Sequence, residues 1–504
     1  MASYDVKLRR GAFINLVGLV GKIFFPLFLF VVAWVAGPET FGLYLLAVSL
    51  AEILVSAVQS GFIDAVMIFA SRHVDRADED PAEKAALYRV LAAGFGVPVV
   101  VSLVLAVVLQ IGAPTFVGLV YPDRPSLARS LEIIGFTLPF IAISQACIAA
   151  TRAKMIMEYE ALLNGFARPV LLLGCSVAGF HALGGVVGLV AGQLVAYVLL
   201  SLLAVVGYAR HFELAPLLAA ARAGWVEREV LRFAIPQSLN MTFNKYLGRL
   251  DVMMLGAMGY QDFALGLFGA AATLTINVRE IKLIFSQALG PIVVRHHVAR
   301  ETAEFEAVLG RVSRWSTSLA VPVVLLVAAL RTDILHLMRP EFVHVDNAFM
   351  LILLIPPFLS CAYGLAGNCI VFTGHSSYNL LNSVLVAGLN TVFNLVLIPR
   401  YGLVGAATAT ALASFLISML QLLELAKLEG VVLRLRYVWK PHVGLVLGFG
   451  VIALLWDPAA LPGLGRAALA IGLVLGYGAL MLALGHEEVV ALARRLVARA
   501  RRPA

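Results

Sequence analysis

The sequence predicts an all-α polytopic membrane protein, and two features of the chain carry that prediction. Of its 504 residues, 61% are hydrophobic and only 13% are charged, a composition far more apolar than that of a soluble enzyme. Long apolar runs also recur throughout, and most are near the roughly 20 residues that a helix needs to cross a bilayer. No polar stretch between them is long enough for an ordinary globular domain. We therefore expect function to reside in the membrane or at its surface.

Fourteen apolar runs are predicted as transmembrane helices. In chain order they cover residues 13–35, 42–70, 90–111, 131–151, 164–182, 186–209, 231–258, 263–291, 316–336, 347–373, 379–398, 402–426, 441–456 and 464–485. The first run is too long for the apolar core of a signal peptide and contains Lys22, so it is expected to remain as a span.

Lysine and arginine fall mainly on one side of this predicted topology. Segments 71–89 and 292–315 each contain four, whereas segments 36–41 and 259–262 on the opposite side contain none. Cytoplasmic loops of membrane proteins carry this excess of positive charge. Both termini are therefore predicted to be cytoplasmic. The net charge of +8 reflects topology and does not indicate binding to nucleic acid.

Weak internal sequence repeats predict that the chain contains two copies of a six-helix unit. They pair Phe41–Tyr44 with Leu265–Phe268, Arg72–Val74 with His296–Val298, and Gly185–Gly188 with Gly402–Gly405. The predicted organisation is a six-helix half over 1–210, a cytoplasmic interfacial linker over 211–230, a second half over 231–427, and two further helices with a basic tail over 428–504. Copies with an even number of spans are related by an axis along the membrane normal, with a binding site between them.

The seventh and eighth predicted spans are unusual because both contain several ionisable residues. These residues are Lys245, Arg249, Asp251, Arg279, Glu280 and Lys282. Charge at membrane depth is costly, and chains retain it mainly where it faces a bundle interior or a wet cavity. We therefore predict a polar site between helices.

Three segments of the chain resemble a known family. Pro399–Thr410, Gly37–Tyr44 and the Arg249–Asp251 tripeptide are similar to segments of bacterial polysaccharide-repeat-unit flippases. These flippases belong to the multidrug/oligosaccharidyl-lipid/polysaccharide exporter superfamily, whose layout of six, six and two helices the predicted spans also resemble. The resemblance implies export of a polyprenyl-pyrophosphate-linked oligosaccharide from the inner to the outer leaflet of the cytoplasmic (inner) membrane.

Such a cargo requires cations for its pyrophosphate and polar side chains for its sugars. The predicted pyrophosphate-binding residues are Arg249, Arg279, Lys245, Lys22 and Lys282, and the predicted sugar-contacting residues are Asn15, Asn240, Asn244 and Asn277. Four acids in the second, seventh and eighth predicted spans, Glu52, Asp64, Asp251 and Glu280, are candidates for ion coupling or for charge pairing with the cations. The alternative is that the cations and acids pair between helices and that the asparagines form interhelical hydrogen bonds.

The sequence contains little that indicates an enzyme. The ten histidines fall in loops or at span ends without metal or nucleophile spacing, so neither an enzyme nor a cofactor is predicted. The expected partners are the lipid-linked oligosaccharide, membrane lipids, and the polysaccharide polymerase and chain-length machinery, without nucleic acid. Three alternatives stay open: a multidrug/cation antiporter of the same superfamily, a peptidoglycan lipid-precursor flippase, and a membrane scaffold for polysaccharide assembly.

Overall fold

The computed structural model describes residues 24–224, 227–344, 348–454 and 461–486, and every regular element in those ranges is a helix. The fold is all-helical over these residues, as predicted. The chain divides into two compact units, the first ending at Gly269 and the second beginning at Ala270.

The first unit consists of eight helices and the start of a ninth within the described residues. They are α1 (Phe24–Ala36), α2 (Pro38–Ala70), α3 (Pro81–Val120), α4 (Pro125–Ala153), α5 (Arg168–Leu183), α6 (Gly185–Ala209), α7 (Leu214–Gly224), α8 (Arg228–Ala257) and α9 (Asp262–Ile276). A π-helix over Glu160–Ala167 precedes α5. The helix α2 packs against α8, α4 and α3, which places its polar residues among several neighbours.

The second unit begins within α9 and continues through a 3₁₀ turn at Asn277–Arg279. Its further helices are α10 (Glu280–Val298), α11 (Thr302–Ala329), α12 (Arg331–Met338), α13 (Ala348–Leu353), α14 (Ile355–Tyr363), α15 (Leu365–Phe372), α16 (Ser376–Glu429), α17 (Trp439–Leu454) and α18 (Gly463–Ala483). Short 3₁₀ segments occupy Pro340–His344 and Leu435–Tyr437. One apolar core joins α11 to α14, α17 and α18, and another joins α10, α11 and α15.

Eight of the described helical segments are long and apolar enough to cross a membrane, or nine if two short helices with a 45° bend between them form one span. This is fewer than the 14 predicted spans. The helix α8 carries many charges, the predicted span 263–291 is interrupted at Asn277–Arg279, and α16 contains two predicted spans in one element. In addition, α17 has only 16 residues, and α1 is described only from Phe24. The count of 14 and the cytoplasmic termini therefore stay predictions.

Two glycines that the internal sequence repeats align have the same φ. Gly185 begins α6 with a φ of 57°, and Gly402 has a φ of 57° within α16, where it joins two helices across a kink. Residues with a Cβ rarely adopt a positive φ. Three residues later, a Cβ on Gly188 or Gly405 would lie 2.5 Å or 2.2 Å from a backbone carbonyl oxygen of the preceding helical segment. Each glycine pair thus permits a tight helical hairpin.

Arg124 fixes the turn between α8 and α9. Its buried guanidinium donates from Nε to Asp262 Oδ1 at 2.5 Å, from Nη1 to the Gly256 carbonyl at 2.8 Å, and from Nη2 to the Tyr260 carbonyl. The carbonyl groups at the end of a helix otherwise lack partners. Arg124 therefore satisfies the end of α8 and orients the charged helix that carries Arg249.

Candidate functional site

The charged residues of α8 face α2 along an antiparallel seam. As the residue number increases along α2, the residue number of the contacting partner on α8 decreases. The pairs are Glu52 with Arg249, Gly61 with Ser238, Asp64 with Gln237, Phe69 with Phe233, and Arg72 with Glu229. At Gly61 a Cβ would lie 2.0 Å from the Ala234 carbonyl oxygen, so the helices touch through their backbones there. The seam brings together residues 197 positions apart in sequence.

Glu52 is the centre of a charge cluster on this seam. Arg249 binds it through both carboxylate oxygens, with Nε–Oε2 at 3.0 Å and Nη2–Oε1 at 2.9 Å. Lys245 Nζ lies 3.6 Å from Oε2. The Glu52 and Arg249 side chains are 26% and 19% exposed, whereas that of Lys245 is 54% exposed. A bidentate arginine–carboxylate pair is geometrically specific, so Arg249 is held while Lys245 is free to reorient.

Arg168 is a further cation near this cluster, and the sequence interpretation did not select it as a site residue. It begins α5 directly after the π-helix, and its guanidinium carbon lies 5.8 Å from the centre of the Tyr197 ring. It is close enough to Glu52 to act on its charge. π-helical segments are frequent at functional sites. The available signal was an arginine just inside an apolar run, which also fits a side chain that reaches out to lipid headgroups.

The other predicted residues of α2 and α8 have local roles. Gln237 Nε2 donates to Asp64 Oδ2 at 2.9 Å. Asn244 donates from Nδ2 to the Asn240 carbonyl one turn earlier, at 2.9 Å, and it is exposed. Asp251 is buried, with 8% of its surface accessible. These contacts lie within the first unit and leave the Asn244 side chain accessible to a ligand.

Arg279 and Lys282 form a second cationic group, in the other unit. The 3₁₀ turn at Asn277–Arg279 interrupts the helix there, and α10 resumes at Glu280. Lys282 Nζ donates to the Gly364 carbonyl at 3.4 Å, at the junction of α14 and α15. Arg279 Nε is buried without a hydrogen-bond partner in the described part of the chain. The site thus consists of two cations near a backbone carbonyl.

No carboxylate lies within ion-pair distance of Arg279 or Lys282 among the described residues. Two neutral groups lie nearby: the Cys361 thiol, which donates to the Val278 carbonyl at 3.4 Å, and Ser286, which accepts a hydrogen bond from Asn368. Asn277 donates to the Thr273 carbonyl at 3.0 Å and is exposed, as is Glu280. Such a region can hold an anion without first breaking an ion pair.

Ser286 and Asn368 are polar residues that the sequence interpretation missed. Ser286 lies four residues after Lys282 on α10, where side chains share one helix face. A single serine in an apolar run is common in membrane helices, so the sequence provided no reason to select it. Their contact extends the polar surface of α10 beyond the two cations.

Two predicted residues, Lys22 and Asn15, lie outside the described residues. Within the described ranges, no group of three histidine, cysteine or acidic side chains is arranged to hold a metal ion.

Comparisons with known proteins place the chain in a family. The model of the family "Polysaccharide biosynthesis protein" matches residues 8–297, and no curated protein matches the chain. A structure of the lipid II flippase MurJ, in an inward closed conformation, matches with a TM-score of 0.69 at 13% identity, covering 93% of this chain and 98% of that one.

Multidrug transporters share the same architecture. An inward-facing multidrug resistance MATE family transporter of the MOP superfamily has a TM-score of 0.60 at 14% identity, covering 83% of this chain and 96% of that one. A variant of the Vibrio cholerae MATE transporter VcmN has 0.54 at 16% identity, with 84% and 97% covered. The chain is thus a multi-pass membrane protein with a MurJ- and MATE-like fold. Because the family model matches more than half of its 504 residues, it belongs to the family of polysaccharide biosynthesis proteins.

Proposed function

We propose that the protein is a flippase that moves a polyprenyl-pyrophosphate-linked oligosaccharide from the inner to the outer leaflet of the cytoplasmic (inner) membrane, for cell-surface polysaccharide synthesis. Its family and its fold, which a solved flippase shares, support a transporter over an enzyme. The proposal includes 14 membrane helices with cytoplasmic termini, boundaries after residues 210, 230 and 427, and alternating access between two six-helix halves.

The observation that carries this proposal is the cationic pair at Arg279 and Lys282. Both side chains lie at an interruption of a helix, and neither has a carboxylate partner among the described residues. Interrupted helices mark substrate sites in many transporters, and uncompensated charge at membrane depth is retained mainly for function. An anionic cargo such as a pyrophosphate supplies the missing negative charge.

The Glu52 cluster is proposed as a second phosphate contact. Glu52 neutralises one of the two positive charges of Arg249 and Lys245, so the cluster keeps one net positive charge. Lys245 has the more exposed side chain and is better placed to leave the carboxylate for a ligand. Lys22 is proposed to add another cation, and Asn15, Asn240, Asn244 and Asn277 are proposed to contact the sugars.

The energy source is a separate proposal. A pyrophosphate with about two negative charges that moves outward through roughly 100 mV, inside negative, gains on the order of 4 to 5 kcal/mol. Membrane potential is therefore sufficient to drive transport. The acids Glu52, Asp64, Asp251 and Glu280 are candidates for ion coupling instead, and transport that persists after proton and sodium gradients are collapsed would exclude that role.

Two other cargo classes follow from the comparisons. A peptidoglycan lipid precursor is supported by the likeness to the lipid II flippase, and a cationic drug by the likeness to multidrug transporters. A cation antiporter requires an available acid, whereas the Glu52 carboxylate is bound by two cations and Asp64 accepts from Gln237. The charge distribution therefore favours an anionic cargo. A scaffold for a polysaccharide polymerase would have no need of buried cations.

The test is reconstitution of the full-length protein in lipid vesicles with a labelled polyprenyl-pyrophosphate oligosaccharide. A glycosidase added outside the vesicles cleaves only sugar in the outer leaflet. Transport is therefore measured as a change in the fraction of labelled sugar that the glycosidase can cleave. The double variant Arg279→Ala/Lys282→Ala is expected to lose transport, and Arg222→Ala/Lys427→Ala, which removes two exposed cations, is expected to keep it. Export of a cationic dye without any movement of lipid-linked sugar would overturn the proposal.

A further inference from the structure

A cavity of about 390 Å³ lies in the first unit, away from the Glu52 cluster in sequence and lined by different residues. Its lining comes from three connecting segments, which are the α2–α3 turn, the end of α4 and the link between α6 and α7, and from the first turns of α3. The lysine and arginine distribution predicts all three to be cytoplasmic. The volume is within the range of small-molecule sites.

One wall of this cavity is held by Glu213 and the residues around it. Its carboxylate pairs with Lys84 Nζ at 2.6 Å, and its backbone N–H donates to the Tyr88 hydroxyl at 2.8 Å. Next to it, the Phe212 ring stacks on Tyr208, with the ring centres 5.0 Å apart. These contacts fix the link between α6 and α7, which forms one wall of the cavity.

Two cations of the lining have no acidic partner. Lys154 and Arg210 both border the cavity, and no carboxylate lies within ion-pair distance of either in the ranges that the structure describes. Lys154 Nζ is 5.5 Å from the centre of the Phe212 ring. Together with Lys84 they are three positive charges against two acids of the lining, Asp78 and Glu213, which leaves one net positive charge.

Exposed apolar side chains lie close in sequence to the lining residues, and one of them, Leu214, is itself part of the lining. Met155 follows Lys154 with a φ of 58° and is 59% exposed, and Leu214 and Leu218 of α7 are 44% and 56% exposed. A positive φ is strained for a residue with a side chain such as methionine. Apolar groups beside cations at a cytoplasmic interface match the acyl chains and the phosphate of a phospholipid.

We propose that this cavity binds a phosphate ester, with Lys154 and Arg210 as the phosphate contacts. The chemistry is shared by a phospholipid headgroup and by a free phosphorylated metabolite. The exposed Met155, Leu214 and Leu218 favour the anionic phospholipid. This site differs from the proposed transport site in every residue, so lipid composition would act on the protein independently of its cargo.

The test measures binding to the purified full-length protein in neutral detergent, by native mass spectrometry. The probes are phosphatidylglycerol, zwitterionic phosphatidylethanolamine and free glycerol phosphate. The variant Lys154→Ala/Arg210→Ala is expected to bind phosphatidylglycerol about 10-fold more weakly, since a cation next to a bound anionic headgroup contributes about 1 kcal/mol to its affinity. The control Arg222→Ala/Lys427→Ala removes the same charge elsewhere and is expected to stay within about 2-fold of the parent.

A further variant separates the cavity from general surface charge. Ala209→Trp places a large side chain at the lining without changing charge, and it is expected to weaken binding as much as the double variant does. Selective binding of glycerol phosphate, lost in both variants, also supports the site and identifies a soluble ligand. The proposal would be overturned by any of three results: a loss of affinity in the control equal to that in the double variant, unchanged binding in the double variant, or full binding with Ala209→Trp. Matching melting temperatures show that the variants are folded.

Discussion

The two cationic regions of this protein have similar spacing in sequence but different surroundings. Lys245 and Arg249 are four residues apart on α8 and share the Glu52 carboxylate. Arg279 and Lys282 are three residues apart at the start of α10. Lys282 donates to a backbone carbonyl, the Cys361 thiol lies nearby, and no carboxylate lies within ion-pair distance of either cation among the described residues. The first region is a partly compensated ion cluster, whereas the second has no acidic partner within ion-pair distance among the described residues.

This difference indicates which cations serve the fold and which serve a ligand. Desolvating an ion pair costs several kcal/mol, and its attraction offsets that cost only with good geometry. Arg249 has that geometry with Glu52, whereas Arg279 bears the cost without an acidic partner in the described chain. A residue that lowers stability without compensation is retained for function. Four experiments test this comparison.

The largest effect is expected for Glu52→Gln. It leaves the Arg249 guanidinium, whose side chain is only 19% exposed, without its carboxylate, and the free energy of unfolding should fall by about 3 kcal/mol. Thermal and denaturant unfolding in detergent measure this change. Asp123→Asn, at an exposed acid of the same unit, is the control and should change little. Equal stability of Glu52→Gln and the parent would show that the pair contributes nothing.

Arg279→Gln should act in the opposite direction on stability. It removes a charge that has no acidic partner, so the free energy of unfolding should stay constant or rise. Transport of the lipid-linked oligosaccharide should fall about 30-fold, because a charge-assisted contact contributes about 2 kcal/mol to binding. Arg249→Gln is the matched comparison and should lose stability. Normal transport by folded Arg279→Gln would remove this residue from the proposed site.

Arginine-to-lysine substitutions should separate geometry from charge. Arg249→Lys keeps the charge but loses the two-pronged contact with Glu52, and we expect a loss of about 1 kcal/mol in unfolding free energy. Arg279→Lys loses no such contact, so its stability should match the parent. Both values come from the same unfolding measurements. A larger loss for Arg279→Lys than for Arg249→Lys would reverse the comparison.

The smallest effect is expected for Lys245→Gln. Its Nζ is 3.6 Å from Glu52 and its side chain is 54% exposed, so the pair should contribute about 0.5 kcal/mol. A double-mutant cycle with Glu52→Gln measures the coupling. Coupling above about 1.5 kcal/mol would mean that Lys245 is as firmly held as Arg249 and is unavailable to a ligand.

Much of the fold follows from patterns that are local in sequence. Apolar runs predicted helices that the structure contains. The internal sequence repeats aligned Gly185 with Gly402, and these two residues have the same φ. The break at Asn277–Arg279 was not predicted, because a single-sequence pattern of 29 residues, 263–291, reads as one continuous helix. Helix interruptions depend on which neighbours satisfy the freed backbone groups.

The candidate site was predicted as a set of residue types and not as a set of contacts. Ionisable residues in apolar runs, such as Glu52, Arg249 and Arg279, stand out from the sequence alone, since charge is rare there. Their partners are far away in the chain, as in the pair of Glu52 and Arg249. Ser286 and Asn368 carry no charge, so they were missed until their contact was observed.

The sequence by itself determined that this is a helical membrane protein with cations among its apolar runs, because hydrophobicity and charge are properties of each residue and its near neighbours. Only the tertiary structure decided which cations are compensated. Lys245, Arg249, Arg279 and Lys282 look alike in a sequence, but α2 brings the Glu52 carboxylate to the first two. Ion pairing depends on distances of a few ångströms between helices, and those distances exist only after the helices pack.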